Sequence, residues 1–417
     1  MNDRGRAASV LIEWARDGAF PDRTIEAMQD RNPFVTELVY GVCRQRRVLD
    51  WVIDRNAQRP PSPTARAFLW TGLYQLLFMD QTAEYAAVHE TVDASKRLLK
   101  KPEVGFLNAM LRRVTRERDA LLDALEKESA PLRLSHDDAL FKRWERAYGE
   151  AAAIALCEWN NTRPDVVIRV TARTDMERYV ASLDEAGIDT TPHPARPDAF
   201  LVLPRGIAVP DLPGYDEGHF AVQDPATAGA VALLDAQPGE AIWDACAAPG
   251  GKTAMIADAM QGEGTLVAGE RHDDRVDRLE ENLARLGHTG VEVRVADARR
   301  AKHAEFDAIL LDVPCSNTGV LRRRPDARWR ATGERIAAVT RLQRELLDGA
   351  AKALRPGGRI VYSTCSLEAE ENEDLVATWL AKHPNFERVA ETRSFPPHDH
   401  CDGAYAVCLR CSVSVFP

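Results

Sequence analysis

The chain has 417 residues, 45% apolar and 28% charged, with 54 Lys and Arg against 64 Asp and Glu. That length predicts two or three domains and enough apolar material for real cores. The composition excludes a disordered, collagenous or disulfide-stapled protein. No apolar run approaches the ~20 residues that span a bilayer, so no membrane association is expected. Met1–Arg6 leads into an amphipathic stretch rather than an apolar leader, and secretion is not expected. Eight cysteines scattered through such a length do not form a disulfide framework. A reducing cytoplasmic location with free thiols is expected.

The first ~130 residues carry helical periodicity. Phe34, Leu38, Val39 and Val42 recur at helical spacing, followed by Leu49, Val52 and Ile53. Further helices are predicted over 65–79, 87–99 and 105–125, and Pro60-Pro61-Ser62-Pro63 separates two of the segments. A helical domain is predicted over 1–135, with no catalytic constellation in it. A small α+β domain is predicted over 150–223, with strands at 165–170 and 200–203 and a helix at 176–186. From 224 to 417 strands and helices alternate. Strand patterns lie at 241–245, 265–269, 291–295, 308–311, 359–362 and 404–409, and helical patterns at 274–286 and 335–354. The alternation predicts an α/β, doubly wound and mostly parallel sheet that binds ligands at the carboxyl ends of its strands.

Two basic clusters stand out against the net acidity. Lys96, Arg97, Lys100, Lys101, Arg112, Arg113, Arg116 and Arg118 form one, and Arg322, Arg323, Arg324, Arg328 and Arg330 the other. Either alone is a solvated face, but both together beside a catalytic motif suit a polyanion.

The segment Trp243-Asp244-Ala245-Cys246-Ala247-Ala248-Pro249-Gly250-Gly251-Lys252-Thr253 is a strand, a tight turn and a helix start. Gly250 and Gly251 would let a ligand approach the backbone, and the helix N-terminus offers amide donors. A phosphate-binding loop needs Gly six residues before the Lys, where Cys246 stands, and G-x-G-x-x-G is missing as well. A nucleoside triphosphatase is therefore disfavoured. Glu270 ends the next strand, where an acidic residue would bind ribose hydroxyls. Asp297 ends the strand after that, where a helix cap is the plain alternative. Together these positions suit an adenosine without a triphosphate, and so S-adenosylmethionine.

Asp312-Val313-Pro314-Cys315-Ser316 and Ser363-Thr364-Cys365-Ser366 each follow a strand. A single Cys is most simply a small buried apolar residue. Two thiols at matching strand ends, beside hydroxyl residues and with Asp312 nearby, predict a reactive pair at the cofactor edge.

DACAAPGGKT, LLDVPCSNTGV, RRPDARW and YSTCS closely resemble the signature motifs of the Sun/Fmu family of RNA cytosine-C5 methyltransferases. The helical segment with Val88-His89-Glu90-Thr91-Val92 and Phe106–Arg112 resembles the NusB-type RNA-binding domain. The resemblance covers nearly the whole chain. It implies a Rossmann-like S-adenosylmethionine-dependent methyltransferase sheet preceded by an RRM-like α+β domain and a NusB-like domain. It implies 16S ribosomal RNA of the small subunit as substrate, with a monomeric enzyme expected. By the family's pattern Cys365 is the nucleophile, Cys315 assists release, and Asp312 meets the cytosine edge. Cys246, Ala247, Ala248, Pro249, Gly250, Gly251, Lys252, Glu270, Asp297 and Asp312 contact the cofactor. Arg322, Arg323, Arg324 and Arg328 are expected to contact RNA phosphates, while Trp329 is structural.

Three positions depart from the family. Glu270 replaces a common Asp, Thr171 stands where Asn is frequent, and Ala404 replaces an aromatic, which implies a looser base pocket. Cys408-Leu-Arg-Cys411 with His398, His400 and Cys401 has the outline of a zinc set, but one C-x-x-C on a strand is a weak signal and no metal is expected. Two alternatives remain: a transfer RNA cytosine-C5 methyltransferase, and an RNA-binding ribosome-assembly factor without chemistry.

Overall fold

The computed structural model describes residues 2–29, 32–301, 303 and 306–412. The chain divides into two compact units, 1–162 with 321–330, and 163–320 with 331–417.

The first unit is helical. Its elements are α1 (Asp3–Asp17), α2 (Pro21–Ala27), α3 (Pro33–Asn56), α4 (Pro63–Phe78), α5 (Glu84–Ser95), α6 (Lys101–Leu125), α7 (Ala130–Arg133), α8 (Asp138–Tyr148) and α9 (Glu150–Asn161). Local chemistry sets the starts. The Ser62 hydroxyl accepts from the Ala65 amide with Pro63 in the first turn, and Asp137 accepts from the amides of Ala139 and Leu140. α4 is buried nearly all round and forms the axis of the core, with Phe68, Leu69 and Leu73 packed among Leu38, Val42, Leu107 and Leu111. A Cβ on Gly72 would lie 2.7 Å from a methyl of Leu111, so the absent side chain is what lets α4 and α6 approach. α8 and α9 were not assigned from sequence; each buries only a short apolar face, such as Leu140, Phe141 and Trp144.

The second unit holds two sheets. The smaller has strands β1 (Val167–Val170), β2 (Thr191–Pro192), β3 (Phe200–Val202) and β4 (Phe220–Val222), in the order β2-β3-β1-β4 and antiparallel throughout. Helix α10 (Met176–Glu185) lays Tyr179 and Leu183 against Ile168, Leu201 and Phe220.

Helix α11 (Thr227–Leu234) leads into the larger sheet of β5 (Ala241–Asp244), β6 (Thr265–Glu270), β7 (Glu292–Val295), β8 (Phe306–Asp312), β9 (Leu354–Thr364), β10 (Phe386–Ser394) and β11 (Ala404–Cys411). Helices α12 (Gly251–Met260), α13 (Val276–Arg285), α14 (Gly333–Ala353), α15 (Glu373–Leu380) and α16 (Pro396–Asp399) connect them. The strand order is β10-β11-β9-β8-β5-β6-β7. β5 to β9 pair in parallel, while β11 and β10 are antiparallel. Alternation sorts the side chains. Ile242, Ala308, Leu310, Val361 and Cys408 face α11 and α12, and Trp243, Ile309, Leu311, Ile360 and Tyr362 face α14 and α15. The chain runs outward from β5 through β6 to β7, then returns to place β8 on the other side of β5. That reversal makes the carboxyl ends of β5 and β8 the topological switch point, where doubly wound sheets bind ligands.

Candidate active site

Every strand end singled out in the sequence reaches this edge. Asp244 closes β5 and Cys246 follows it; Glu270 closes β6, Asp297 follows β7, Asp312 closes β8 and Thr364 closes β9. The Lys252 ammonium, one residue into α12, donates to Asp312 Oδ2 at 2.7 Å, and Ser363 Oγ donates to Asp312 Oδ1 at 2.8 Å. Burial opposes the Lys252 charge, but the adjoining Asp312 carboxylate outweighs it and raises the lysine pKa. This ion pair joins the β5 loop to the end of β8.

The register Asp312↔Ser363 sets the two cysteine turns side by side. Cys315 Sγ and Cys365 Sγ are 3.2 Å apart, and the Cys365 thiol donates to Asn317 Oδ1 at 3.2 Å. The Asn317 amide returns a bond to the Cys315 carbonyl, from a backbone at φ +63° that a non-glycine residue rarely adopts. Cys315 is held well above the ordinary thiol range, first by its contact with Cys365 and then by burial. Burial, with the carboxylates of Asp244, Asp312 and Glu270 nearby, likewise pushes the Cys246 thiol up. Cys246 is thus kept neutral.

The remaining positions expected to hold the cofactor are pre-set by the protein itself. Glu270 is buried, accepts from the His272 amide at 2.9 Å and pairs with Arg275 at 3.0 Å. Asp297 caps the short turn after β7 through the Arg299 amide, and the Arg299 guanidinium holds its pKa low. Capping and proximity to the edge coexist there. Gly250 also has a reason to be glycine that lies within the fold. Gly250 adopts φ +99°, and a Cβ on it would lie 2.9 Å from Leu279 of α13; one on Gly251 would face Gln223 at 3.5 Å. Turn geometry and helix packing by themselves require the first. Ala247, Ala248 and Pro249 form the turn between Cys246 and Gly250, and the Ala247 amide donates to the Gly269 carbonyl.

The residues present fit S-adenosylmethionine. Glu270, Asp297 and Asp312 offer acceptors for hydroxyls and an ammonium, and the first amides of α12 offer donors for a carboxylate. Buried Asp244 keeps one oxygen on Thr253 Oγ1 at 2.6 Å and the other without a partner among the described residues.

The arginine cluster divides, and Arg328 is corrected. It is 1% exposed, and its guanidinium donates to the carbonyls of Arg44, Ser135 and Asn160 and to Asn161 Oδ1. With both terminal nitrogens of the guanidinium bonded inside the helical unit and the group buried, it is a structural anchor and not a phosphate contact. Arg322 is also buried, its guanidinium 4.4 Å from the Trp159 ring centroid. Arg324 is half-exposed, 3.5 Å from Asp22, and Arg323 is partly exposed. Trp329 donates to the Cys43 carbonyl at 2.7 Å, in keeping with a structural role. Thr171 is buried and bonded to the Gly218 carbonyl. Among the described residues no three His, Cys, Asp or Glu side chains gather as a metal set, and Cys408 lies buried within β11. None of the described helices is long and apolar enough to cross a membrane.

Two residues at the site had no signal that sequence reasoning used. Asn317 lies inside the motif LLDVPCSNTGV, where a lone Asn signals no chemistry by itself. Glu371, wholly buried, bonds both cysteine turns; a Glu in an acidic run looks like a solvated surface.

The chain is similar to known proteins over nearly its whole length. Residues 231–409 match the family model described as 16S rRNA methyltransferase RsmB/F, residues 1–116 match the NusB family, and residues 136–209 match the ferredoxin-like domain of RsmF/B-like methyltransferases. A probable ribosomal RNA small subunit methyltransferase B from Synechocystis sp. is 34% identical, over 98% of this chain and 99% of its own. The ribosomal RNA small subunit methyltransferase B of Vibrio cholerae is 37% identical, over 98% and 95%. The crystal structure of PH0851 is similar with a TM-score of 0.81 at 25% identity, covering 98% of this chain and 99% of that one.

Proposed function

The chain belongs to the RsmB/F family of S-adenosylmethionine-dependent RNA cytosine-C5 methyltransferases, and we propose that it methylates a cytosine of 16S ribosomal RNA through a covalent bond from Cys365 to carbon 6. The observation that carries the mechanism is the pair of thiols 3.2 Å apart, beside the Lys252–Asp312 ion pair.

Carbon 5 of cytosine is a weak nucleophile. The Cys365 thiolate adds to carbon 6, and the electron pair displaced from the 5,6 double bond makes carbon 5 enamine-like. S-adenosylmethionine supplies the electrophilic methyl group; Cys246–Lys252, Glu270, Asp297 and Asp312 would hold it. Asp312, fixed by Lys252 and Ser363, is set to accept from the cytosine edge. After transfer solvent water takes the carbon-5 proton, the C–H electron pair re-forms the 5,6 double bond, and the Cys365 sulfur departs with the C6–S pair as a thiolate, to which the Cys315 thiol donates a hydrogen bond. Cys315 assists that release. Its raised pKa keeps it a thiol while Cys365 acts. The target base must leave its stack to reach these sulfurs, so the substrate is a loop or locally opened RNA. Arg323 and half-exposed Arg324 are the members of the cluster that would meet phosphates.

The NusB-family match over 1–116 and the small-subunit names of the relatives favour ribosomal over transfer RNA. The test is methyl transfer from labelled S-adenosylmethionine to unmodified small-subunit RNA. Wild type transfers label to cytosine C5, Cys365→Ala does not, and Cys315→Ala accumulates a denaturant-resistant protein–RNA adduct. An adduct with Cys365→Ala instead reverses the two roles. Label on transfer RNA alone changes the substrate, and RNA binding without transfer to any RNA or subunit leaves an assembly factor.

A further inference from the structure

The two cysteine turns come from different strands, and what fixes one against the other lies behind the sulfurs. Glu371, on the short turn that precedes α15, is fully buried. Its Oε2 accepts from the Ser316 amide at 2.9 Å and from Gln343 Nε2 at 2.9 Å, and its Oε1 accepts from Ser366 Oγ at 2.7 Å. Backbone N–H and amide NH2 groups only donate, so a carboxylate, which only accepts, answers them best. A buried carboxylate with no ion pair among the described residues is costly unless donors meet it, and here both its oxygens have one.

Each donor belongs to a cysteine turn or braces one. Ser316 follows Cys315, and Ser366 follows Cys365. Gln343 also donates to the carbonyl of Pro314, which precedes Cys315, at 3.0 Å. The Tyr362 hydroxyl fixes the backbone by donating to the Glu371 carbonyl at 2.6 Å, and Ser316 Oγ and Ser366 Oγ lie 3.0 Å apart in front of the carboxylate. Among the described residues none of these groups hydrogen-bonds to the loop at 246–252.

Resting on the assignment of Cys365 and Cys315 as the reacting pair, we propose that Glu371 is its positioning residue: the carboxylate ties the turn after β8 to the turn after β9 and so fixes the separation of the two sulfurs. The consequence is kinetic. Cys365 bonds carbon 6 and must later be released with Cys315 still in place, and an error of about 1 Å in such a pair costs on the order of 10²-fold in rate. The Glu371 charge also adds to the effects of Cys365 and burial that keep Cys315 a thiol.

The experiment compares wild type with Glu371→Ala, Glu371→Gln, Ser366→Ala and Cys365→Ala in methyl transfer to RNA, with melting curves for each. Glu371→Ala lowers kcat by about 10²-fold while KM for S-adenosylmethionine stays within about threefold, because the cofactor loop is untouched. Glu371→Gln recovers most of that loss: its amide oxygen takes the Ser316 and Gln343 donors, and its NH2 donates to Ser366 Oγ, which can turn its hydroxyl to Ser316. Should Glu371→Ala fail to fold, Ser366→Ala removes the Cys365-side bond to Glu371, along with the hydroxyl's contacts to Ser316, Thr318 and the Glu368 amide, and lowers kcat about tenfold at unchanged KM. A folded Glu371→Ala, or Ser366→Ala in its place, with kcat within about twofold of wild type overturns the proposal. Cys365→Ala separates the two layers. If it is inactive while Glu371→Ala is not, the brace alone is wrong; if it is active, the nucleophile assignment fails.

Discussion

Cys315 and Cys365 are 50 residues apart in the chain, yet their sulfurs lie 3.2 Å from one another. Parallel pairing of β8 with β9 brings them together, since each cysteine follows its strand within three residues. Both thiols are free. A mild disulfide-forming oxidant such as diamide should therefore take two hydrogens from this pair and close a Cys315–Cys365 bond with little backbone movement. Methyl transfer is expected to be lost in step with a Cys315–Cys365 cross-linked peptide in mass spectrometry and restored by dithiothreitol. Inactivation without that cross-link would refute the pairing.

Lys252 and Asp312 make the other tight contact at the site. Lys252→Ala leaves Asp312 with the Ser363 hydroxyl alone and no cation in a mostly buried setting, which such charges tolerate poorly. Calorimetry should find S-adenosylmethionine affinity lowered by about 10- to 100-fold, with Lys252→Arg recovering only part of it because a planar fork replaces a point charge. Unchanged affinity in Lys252→Ala would mean that the ion pair does not shape the cofactor site.

What could be read from the sequence was whatever one segment specifies. The strand–turn–helix at 241–253 and the two cysteine turns are contiguous, and the alternation around them fixes the sheet edge they share. Residues whose role depends on distant partners were not legible. Glu371 needs Ser316, Gln343 and Ser366 around it before its purpose shows. Arg328 looked like a phosphate contact because arginines crowd around it, and only its carbonyl partners at 44, 135 and 160 reveal an anchor. β10 was missed for a simpler reason: as an edge strand it turns mostly polar residues to water and has no apolar run.

Asp244 gives a pH dependence. Burial pushes its carboxyl up to about 7, against the ~3.9 of an unfolded Asp. Between these values the folded chain holds a proton that the unfolded chain has released. The stability this contributes is fully present below about pH 4 and is lost as pH rises to about 7. Asp244→Asn removes the titration. Denaturant unfolding of the two proteins should show the Asn variant gaining on wild type by up to about 4 kcal/mol between pH 4 and pH 8. A difference that does not change with pH would place the Asp244 pKa near its ordinary value.

Arg328 and Arg324 stand four residues apart and should behave as different kinds of residue. Arg328→Ala strips hydrogen bonds from three carbonyls and from Asn161. Leaving such groups unsatisfied is expected to cost about 3–5 kcal/mol in denaturant unfolding. The RNA affinity of the folded fraction should keep its dependence on salt. Arg324→Ala removes a half-exposed guanidinium beside Asp22 and should change stability by less than about 0.5 kcal/mol. If Arg324 meets a phosphate, the slope of log affinity against log salt should fall by about 1, with weakening that does not depend on sequence. A salt slope altered by Arg328→Ala and not by Arg324→Ala would return Arg328 to the RNA surface and remove Arg324 from it.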